Sequence, residues 1–241
     1  MKLKGAHFEN TKVNVIMPTL NEERNIGDVI PRLKQIGVKE ILIIDGHSED
    51  GTVEFARKLG AKVILQNGRG KGAALRQAFE DSCLNGDVIV IMDADGSMAP
   101  EELSLFTKAI ETGADVVKGS RFLPSGGSED LTPLRHVGNK LLTAILNFLF
   151  LTKYTDLCYG YIAFTKEALR KLSNSLESKN FEIETEICIK SKSLGLCVIE
   201  IPSVERSRRH GTSNLHALRD GFSIFKLLLG EAFKVPEFSL I

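Results

Sequence analysis

The sequence predicts an α/β fold: a three-layer sandwich in which helices cover both faces of a mostly parallel central sheet. Through the first 120 residues, short apolar segments alternate with helical patterns of roughly 10–15 residues. Strands joined by such helices form right-handed crossovers, which place successive strands parallel to one another. The length of 241 residues suits one large domain. We therefore expect residues 1–241 to form a single domain.

The predicted elements can be assigned in chain order. Strands are predicted at 13–18, 40–45, 61–65 and 87–93, and helices at 22–36, 49–60, 70–82 and 100–111. The strands are continuous apolar runs, which is typical of strands buried on both faces. A Gly/Pro/Ser-rich loop then precedes helices at about 133–149, from 165 and at 181–194, a strand at 196–202 and an amphipathic C-terminal helix. We interpret this second half as an extension of the same sheet.

The composition indicates a cytoplasmic protein that does not bind nucleic acid. Basic and acidic residues balance at 31 each, so the net charge gives no sign of a polyanionic partner. The longest apolar segments, 141–151 and 222–233, are shorter than the ~20 residues of a transmembrane helix. Residues 1–12 lack the apolar stretch of a secretory signal. The four cysteines have no CxxC spacing, which is typical of reduced thiols.

Polar side chains follow four of the predicted strands. The segments are PTLNEE (18–23), DGHSEDGT (45–52), QNGRGKG (66–72) and DADGS (93–97). In open α/β sheets, ligands bind outside the carboxyl ends of the strands, so we expect these segments to line one crevice. Because Asp, Asn, Ser and Gly are also ordinary cap and turn residues, any one segment alone has that simpler explanation.

The fourth strand ends in two acids, Asp93 and Asp95, on either side of Ala94. In an extended segment their side chains point to the same side of the chain. Mg²⁺ and Mn²⁺ take one or two carboxylates together with phosphate oxygens and water. The pair therefore predicts a divalent-metal site, with one helix cap and one solvated acid as the alternative. Lys71, at a glycine-rich helix start without P-loop spacing, would add positive charge beside a nucleotide.

Several segments together resemble a known family. They are VNVIMPTLNEE, ILIIDGHSEDGT, NGRGKGAALRQAF, VIVIMDADGSMAPEEL, DVVKGSRF, TDLCYGYIAFTKEAL and RRHGTSNL. The first four resemble the nucleotide-sugar-binding half of family-2 glycosyltransferases with the GT-A fold. The later ones resemble the polyprenyl-phosphate branch, which includes dolichyl-phosphate mannose and glucose synthases. The resemblance implies a Rossmann-like GT-A domain with a nucleotide-sugar-binding half at 13–120 and an acceptor-binding half at 121–241.

The resemblance also implies roles for individual residues on the donor side. The nucleotide-sugar site would comprise Pro18, Thr19, Asn21, Glu22, Asp45, Lys71, Asp93, Ala94, Arg206 and Arg209. Asp93 and Asp95 would bind the metal that bridges the donor diphosphate, and Asp95 would be required for turnover. Many relatives have two acids after the second strand, where this chain has Asp45-Gly46-His47. Asp45 alone would therefore bind the nucleobase. The basic cluster Arg206, Arg208, Arg209 and His210 is similar to the segment that closes over donor and acceptor.

On the acceptor side, Arg121 and Arg135 match positions at which lipid-phosphate synthases grip the acceptor phosphate. A monophosphate is an anion at about pH 7, so it needs cations rather than a catalytic base, and arginine suits bidentate phosphate contacts. A hydroxyl acceptor would instead need a carboxylate base. Glu182, Glu184 and Glu186 are the candidates for that base, with a solvated acidic face as the alternative.

We therefore expect a metal-dependent inverting glycosyltransferase that uses Mg²⁺ or Mn²⁺ and moves a hexose from a nucleotide sugar to a polyprenyl or dolichyl phosphate. The glycine-rich segment looks closer to the glucosyl branch, which favours a UDP-glucose-like donor over GDP-mannose. The segments 141–151 and 222–233 would lie in the lipid interface on the cytoplasmic face, or would be ordinary core helices. Two alternatives stay open: a soluble or glycan hydroxyl acceptor with Glu184 as base, and a nucleotide-binding module without turnover.

Overall fold

The computed structural model describes residues 11–80, 85–213 and 215–234. In chain order the elements are β1 (Val13–Thr19), α1 (Glu23–Gln35), β2 (Glu40–Asp45), α2 (Thr52–Lys58), β3 (Lys62–Leu65), α3 (Lys71–Glu80), β4 (Val88–Ile91), a 3-10 turn (Pro100–Glu102), α4 (Leu103–Glu111), β5 (Val116–Ser120), β6 (Gly127–Ser128), α5 (Pro133–Phe150), β7 (Ile162–Thr165), α6 (Lys166–Ser173), α7 (Ile183–Ser193), β8 (Val198–Pro202), β9 (Val204–Glu205) and α8 (Ala217–Ala232). The regular alternation predicted for the first half is confirmed.

Seven strands form one sheet in the order β3-β2-β1-β4-β7-β5-β8. All neighbours run parallel except β7, which is antiparallel to both β4 and β5. The expected mostly parallel sheet is therefore confirmed, as is the expectation that the second half extends it, since β5, β7 and β8 all join. The two-residue strands β6 and β9 pair in a separate small sheet that the sequence did not predict.

The core lies in two layers, one on each face of the sheet. Successive side chains of a strand point to opposite faces, so Val15 of β1 packs in one cluster and its neighbour Ile16 in the other. The first cluster includes Ile26 of α1 and Phe106 of α4, and the second includes Ile187 of α7. All five side chains are 2% exposed or less. This burial on both faces explains the continuous apolar runs in the sequence.

Several predicted boundaries shift where the chain leaves the sheet. The predicted strand 87–93 ends at Ile91, so the acids of DADGS lie in a loop beyond the last ladder pair. The predicted helix 49–60 begins only at Thr52, because Asp50 accepts hydrogen bonds from the backbone N–H groups of Glu23 and Thr52 and holds the loop in a turn. Residues 81 and 82 of the predicted helix 70–82 lie outside the described residues, as does Cys83; the other three cysteines are unpaired.

Helices α5 and α8 pack against each other and enclose a third apolar cluster that includes Leu146 and Leu228, both fully buried. Each helix also carries a second apolar stripe that faces outward. The exposed residues are Leu134, Val137, Leu141, Phe148 and Leu151 on and after α5, and Leu218, Phe222, Leu229 and Phe233 on and after α8. Their spacing of three, four or seven residues places each set on one helix face. Among the described helices, none is long and apolar enough to cross a membrane.

Candidate active site

A cavity of about 750 Å³ opens at the carboxyl edge of the sheet. The loops after β1, β2, β3 and β4 line one side of it, and residues of α5, α7 and α8 line the other. The expected convergence of four strand ends on one crevice is therefore confirmed. Ten of the site residues expected from the sequence line it: Pro18, Thr19, Glu22, Lys71, Asp93, Ala94, Asp95, Arg121, Arg135 and Glu184. Four others, Asn21, Asp45, Arg206 and Arg209, lie outside its lining.

Lys71 lines this cavity between two acids. Its Nζ lies 2.7 Å from Asp93 Oδ1 and 2.7 Å from Glu184 Oε1, and its side chain is 10% exposed. Burial alone would lower the pKa of Lys71, but the two carboxylates outweigh it and raise that pKa above its ordinary value. Lys71 therefore stays charged and offsets the repulsion between the two acids.

Glu184 is the one of the three candidate carboxylates on or next to α7 that lines the cavity. Burial raises the pKa of Glu184 above its ordinary value, although the charge of Lys71 opposes the shift. Glu186 is 1% exposed and accepts hydrogen bonds from the backbone N–H groups of Glu177 and Ser178. The alternative of a solvated acidic face is wrong, because helix packing buries both Glu184 and Glu186.

Arg208 bridges two further acids of the cavity, Asp95 and Glu22. Its Nη2 lies 2.8 Å from Asp95 Oδ2, and its Nη1 donates to Glu22 Oε1 at 2.9 Å. Arg209 instead pairs with Asp28, and the backbone N–H of Arg206 donates to Ser97 O. The sequence placed the cluster of Arg206, Arg208, Arg209 and His210 over the site and assigned Arg206 and Arg209 to the nucleotide sugar. Of these four residues, Arg208 is the one that lines the cavity. Spacing offers no signal for this choice, since the segment is irregular and has no fixed periodicity.

The residues around Asp93 and Asp95 fit a divalent cation that a diphosphate helps to bind. Both side chains line the same cavity, and each uses one carboxylate oxygen for a cation of the chain. Among the described residues, no group of three or more His, Cys, Asp or Glu residues could hold a metal alone. Two hard carboxylates therefore suit a Mg²⁺ or Mn²⁺ ion whose remaining ligands come from phosphate and water.

Two residues expected to contact the nucleotide instead hold the loops together. The carboxylate of Asp45 is fully buried and accepts hydrogen bonds from Thr19 Oγ1, Ser48 N and Ser48 Oγ. Asn21 Oδ1 accepts a hydrogen bond from the backbone N–H of Glu49. Asp45 and Asn21 thus fix the loops after β1 and β2, and His47 lies at the cavity wall.

Arg121 lies beneath the opposite end of the cavity, 8% exposed. Its Nε and Nη2 donate to both oxygens of Asp156 at 2.7 and 3.0 Å, and its Nη1 donates to Glu205 at 3.0 Å. Burial opposes ionisation, but the hydrogen bonds from Arg121 keep the pKa of Asp156 below its ordinary value. Sequence reasoning gave no role to Asp156, although it stands in the segment TDLCYGYIAFTKEAL, and none to Glu205.

Arg135, in the first turn of α5, is the more accessible arginine at this end. Its Nη2 donates to Ser213 Oγ at 3.2 Å and to Leu215 O at 3.3 Å, and so connects α5 to the segment before α8. Its Nη1 also lies 3.8 Å from Asp130 Oδ2. Much of the cavity wall is apolar and includes Leu131, Leu134, Leu142, Leu215, Leu218 and Ile224. Leu134 and Leu218 also belong to the exposed stripes, so the apolar surface continues from inside the cavity to outside.

The first turn of α3 packs against the 177–180 loop. A Cβ at Gly72 would lie 2.5 Å from Ser178 O, and Ala73 N donates to Lys179 O at 3.0 Å. Glu186 holds this 177–180 loop through the hydrogen bonds described above. The glycine at position 72 is therefore required by the close approach of two backbones, and this packing fixes the position of Lys71.

The fold and this cavity define an α/β protein with a charged site at the carboxyl edge of a mostly parallel sheet. The family model of glycosyl transferase family 2 matches residues 14–173. The chain is 35% identical over 214 residues to glycosyltransferase AglJ of Haloferax volcanii, covering 88% of this chain and 69% of that protein. It is 32% identical over 217 residues to a dolichyl-phosphate hexose transferase of the same organism, covering 89% and 91%.

The fold is similar to that of glucosyl-3-phosphoglycerate synthase from Mycobacterium tuberculosis, solved with Mn²⁺, UDP and glucosyl-3-phosphoglycerate. The TM-score is 0.71 at 23% identity, and the alignment covers 94% of this chain and 81% of that one. The chain therefore has the GT-A fold in a single α/β domain. It belongs to glycosyl transferase family 2 and is a glycosyltransferase.

Proposed function

We propose that the protein transfers a hexose from a UDP- or GDP-linked donor to a polyprenyl or dolichyl phosphate, with Mg²⁺ or Mn²⁺ as cofactor. One observation carries this proposal: a single cavity connects a pair of carboxylates at the end of β4 to Arg135 and to an apolar wall that reaches the surface. A donor diphosphate requires the first feature, a phosphate acceptor the second and a lipid chain the third.

The donor binds in the half formed by residues 13–120. Asp93 and Asp95 hold the metal, which when bound neutralises charge on the leaving diphosphate. Lys71 and Arg208, each within 2.9 Å of a carboxylate, supply further positive charge to the same place. The loops after β1 and β2 hold the nucleoside.

The acceptor binds in the half formed by residues 121–241. Arg135 holds the acceptor phosphate, and Arg121, which Asp156 and Glu205 hold in place, lines the same cavity. The lipid chain leaves between α5 and α8 along Leu134 and Leu218, which line the cavity and are 58% and 77% exposed. The outward stripes of the two helices then contact the membrane surface, which makes the protein peripheral on the cytoplasmic face.

The reaction requires no catalytic base. An oxygen of the acceptor phosphate attacks the anomeric carbon, the new carbon–oxygen bond forms on the face opposite the leaving group, and the nucleoside diphosphate departs with the bonding electrons. Because the acceptor oxygen is already anionic, no proton has to be removed. The cations hold two negatively charged substrates close together, which is the main obstacle to their reaction.

The labelled-donor assay tests this function. Purified protein is incubated with Mg²⁺ or Mn²⁺, a short-chain polyprenyl phosphate and radiolabelled UDP-glucose or GDP-mannose, and label is measured in the lipid extract. We expect lipid-extractable label that is lost with a chelator or in Asp95→Asn. Arg135→Gln should lower kcat/KM about 10- to 100-fold, the scale of a charge-assisted phosphate contact. Arg170→Gln, an exposed arginine on α6, is the matched control. Label confined to water-soluble product would overturn the proposal.

Membrane contact has its own test. Phe148 and Phe222 are 76% and 59% exposed on the outward stripes. We expect Phe148→Ser and Phe222→Ser each to weaken cosedimentation with phosphatidylglycerol–phosphatidylcholine vesicles by roughly tenfold, because each removes an aromatic side chain from the interface. Leu105→Ser on α4, 49% exposed on another face, should leave vesicle binding unchanged. Equal losses from all three variants would contradict an interface on α5 and α8.

A second candidate function rests on Glu184. A buried carboxylate with a raised pKa in the cavity could accept a proton from a soluble or glycan hydroxyl. The same assay with a hydroxyl acceptor distinguishes the two functions. Glu184→Gln also distinguishes the two functions, because a hydroxyl acceptor needs this carboxylate as a base and a phosphate acceptor does not.

A further inference from the structure

In the loop between β2 and α2, the residue that faces the cavity is His47 and not the buried Asp45. All three hydrogen bonds to Asp45 come from within the protein, and its carboxylate is fully buried. A Cβ at position 46 would lie 3.2 Å from Thr19 O and 3.3 Å from Gln66 Oε1, so a second acid there would require these groups to shift. His47 is the next residue, and it is exposed at the cavity wall.

His47 is held in an uncommon conformation. Its φ of 66° lies in the left-handed region, which non-glycine residues adopt rarely and at a cost. The ring Nε2–H donates to the carbonyl oxygen of Gln66 at 2.9 Å, and Gln66 Nε2 donates in turn to Gly70 O at 2.8 Å. The ring is therefore fixed between the loops after β2 and β3. Strain of this kind, held by specific contacts at a cavity wall, is typical of a ligand-binding residue.

The hydrogen bond to Gln66 also determines the chemistry of the ring. A carbonyl oxygen only accepts, so Nε2 must carry the proton. In the neutral imidazole, Nδ1 is then left with a lone pair and no hydrogen. In its neutral form, His47 therefore has Nδ1 as a hydrogen-bond acceptor.

The position of His47 in the cavity indicates what this acceptor meets. In the proposed function, the diphosphate lies beside Asp93 and Asp95 at the end of β4, and the acceptor phosphate lies beside Arg135. All three residues line the cavity. In the sheet order β3-β2-β1-β4, the loop carrying His47 lies on the side of β4 away from β7 and β5. A nucleoside diphosphate whose sugar points toward Arg135 therefore places its base on the side of His47.

We infer that His47 is a specificity-determining residue whose Nδ1 accepts a hydrogen bond from a ring N–H of the donor's nucleobase. This inference rests on the proposed function and adds which bases the site takes. Uracil and guanine carry a ring N–H on their pairing edge, whereas cytosine and adenine carry a ring nitrogen with a lone pair there. Two lone pairs repel, so the site takes UDP or GDP and rejects CDP and ADP.

N-methylated nucleotides test the inference directly. Calorimetry with Mn²⁺ measures binding of UDP, GDP, N3-methyl-UDP and N1-methyl-GDP to the whole chain. In the wild type we expect methylation of the nucleotide that binds to weaken affinity about tenfold, the scale of one hydrogen bond. His47→Gly, which suits the positive φ and lacks the ring, should bind methylated and unmethylated forms within about twofold. His136→Asn on α5, which does not line the cavity, should keep the wild-type penalty.

Each outcome separates this inference from the proposed function. A methylation penalty that persists unchanged in His47→Gly would overturn the inference and leave the glycosyltransferase function intact. Failure of both UDP and GDP to bind would overturn the donor assignment itself. Equal binding of CDP and UDP by the wild type would also overturn the inference. His47→Asn tolerates the left-handed conformation and restores a hydrogen-bond acceptor. In this variant, methylation of the nucleotide should again weaken binding, though by less than in the wild type.

Discussion

Arg208 Nη2 lies 2.8 Å from Asp95 Oδ2, so a cation of the chain neutralises one of the two acids that the sequence marks for a metal. The arginine side chain is 19% exposed and is also held by Glu22. Asp93 is neutralised in the same way by Lys71. The acid pair at the end of β4 is therefore balanced by two cations that reach it from distant parts of the chain.

Removal of Arg208 should strengthen metal binding. A metal that uses Asp95 Oδ2 must compete with the guanidinium, so Arg208→Gln should bind Mn²⁺ about fivefold more tightly, the equivalent of roughly 1 kcal/mol for a partly exposed ion pair. Titration calorimetry of the nucleotide-free protein measures this. Arg209→Gln, which breaks only the contact with Asp28, is the matched control. Weaker Mn²⁺ binding in Arg208→Gln would show that Arg208 supports the metal site instead of competing for it.

Loss of the Glu184 carboxylate separates the two acceptor classes. With a lipid phosphate no base is needed, so Glu184→Gln should keep turnover within about tenfold of wild type. With a hydroxyl acceptor, loss of a general base should lower kcat by roughly 10²- to 10⁴-fold. Steady-state kinetics with both acceptors measure the difference. Glu167→Gln, on α6 and outside the cavity lining, should change neither rate.

The raised pKa of Glu184 should also appear in the pH dependence of stability. Because burial raises this pKa in the folded state, the folded protein holds the proton to higher pH than the unfolded chain. The stability linked to that proton is complete below the ordinary pKa of about 4.5 and is lost as the pH rises through the folded-state value. Urea denaturation between about pH 4 and 8 should therefore show a steeper decline for wild type than for Glu184→Gln. Parallel curves would contradict the raised pKa.

The buried ion pair of Arg121 and Asp156 should be important for stability. Asp156 is fully buried, and its replacement by Asn leaves a buried guanidinium with one fewer charged partner. We expect Asp156→Asn to lower the free energy of unfolding by about 3 kcal/mol, measured by urea denaturation. Glu167→Gln breaks an exposed ion pair with Lys171 and makes the same change of carboxyl to amide. It should leave the midpoint unchanged, and a similar loss from both variants would count against the expected role of burial.

A methyl group at Gly72 should disturb the site more than the overall fold. Its Cβ would meet two backbone atoms of the 177–180 loop within 2.8 Å, so Gly72→Ala must displace that loop or Lys71. We expect a loss of about 1–3 kcal/mol in stability together with lower turnover. Gly230→Ala on α8 meets nothing within 4 Å and should instead stabilise the helix by up to about 1 kcal/mol. Unchanged turnover in Gly72→Ala would show that the turn does not position Lys71.

Much of the donor side of the site could be predicted because it follows strand ends. Pro18, Asp93 and Asp95 stand at or just beyond the ends of predicted strands and Lys71 stands at a helix start, and the parallel topology brings those points to one edge. Asp45 obeys the same rule in sequence, yet its side chain turns inward because Thr19 and Ser48 supply its hydrogen bonds. A strand-end position therefore predicts the neighbourhood of a residue but not the direction of its side chain.

Other partners could not be predicted because they are far apart in the chain. Lys71 and Glu184 are separated by 113 positions, and Arg208 and Glu22 by 186. Neither pair has a sequence pattern that links its members. The antiparallel strand β7 is a similar case, since its pairing with both β4 and β5 depends on the order in which strands join the sheet.

The sequence by itself determined the α/β class, the mostly parallel sheet and the meeting of four polar segments at one edge. These features follow from apolar periodicity and from the handedness of crossovers, which are local properties of the chain. The tertiary structure decided which cation faces each acid, that Asp45 is internal while His47 faces the cavity, and that α5 and α8 present an apolar surface beside Arg135. Those outcomes depend on packing between distant segments, where burial and charge pairing select one side chain among several neighbours.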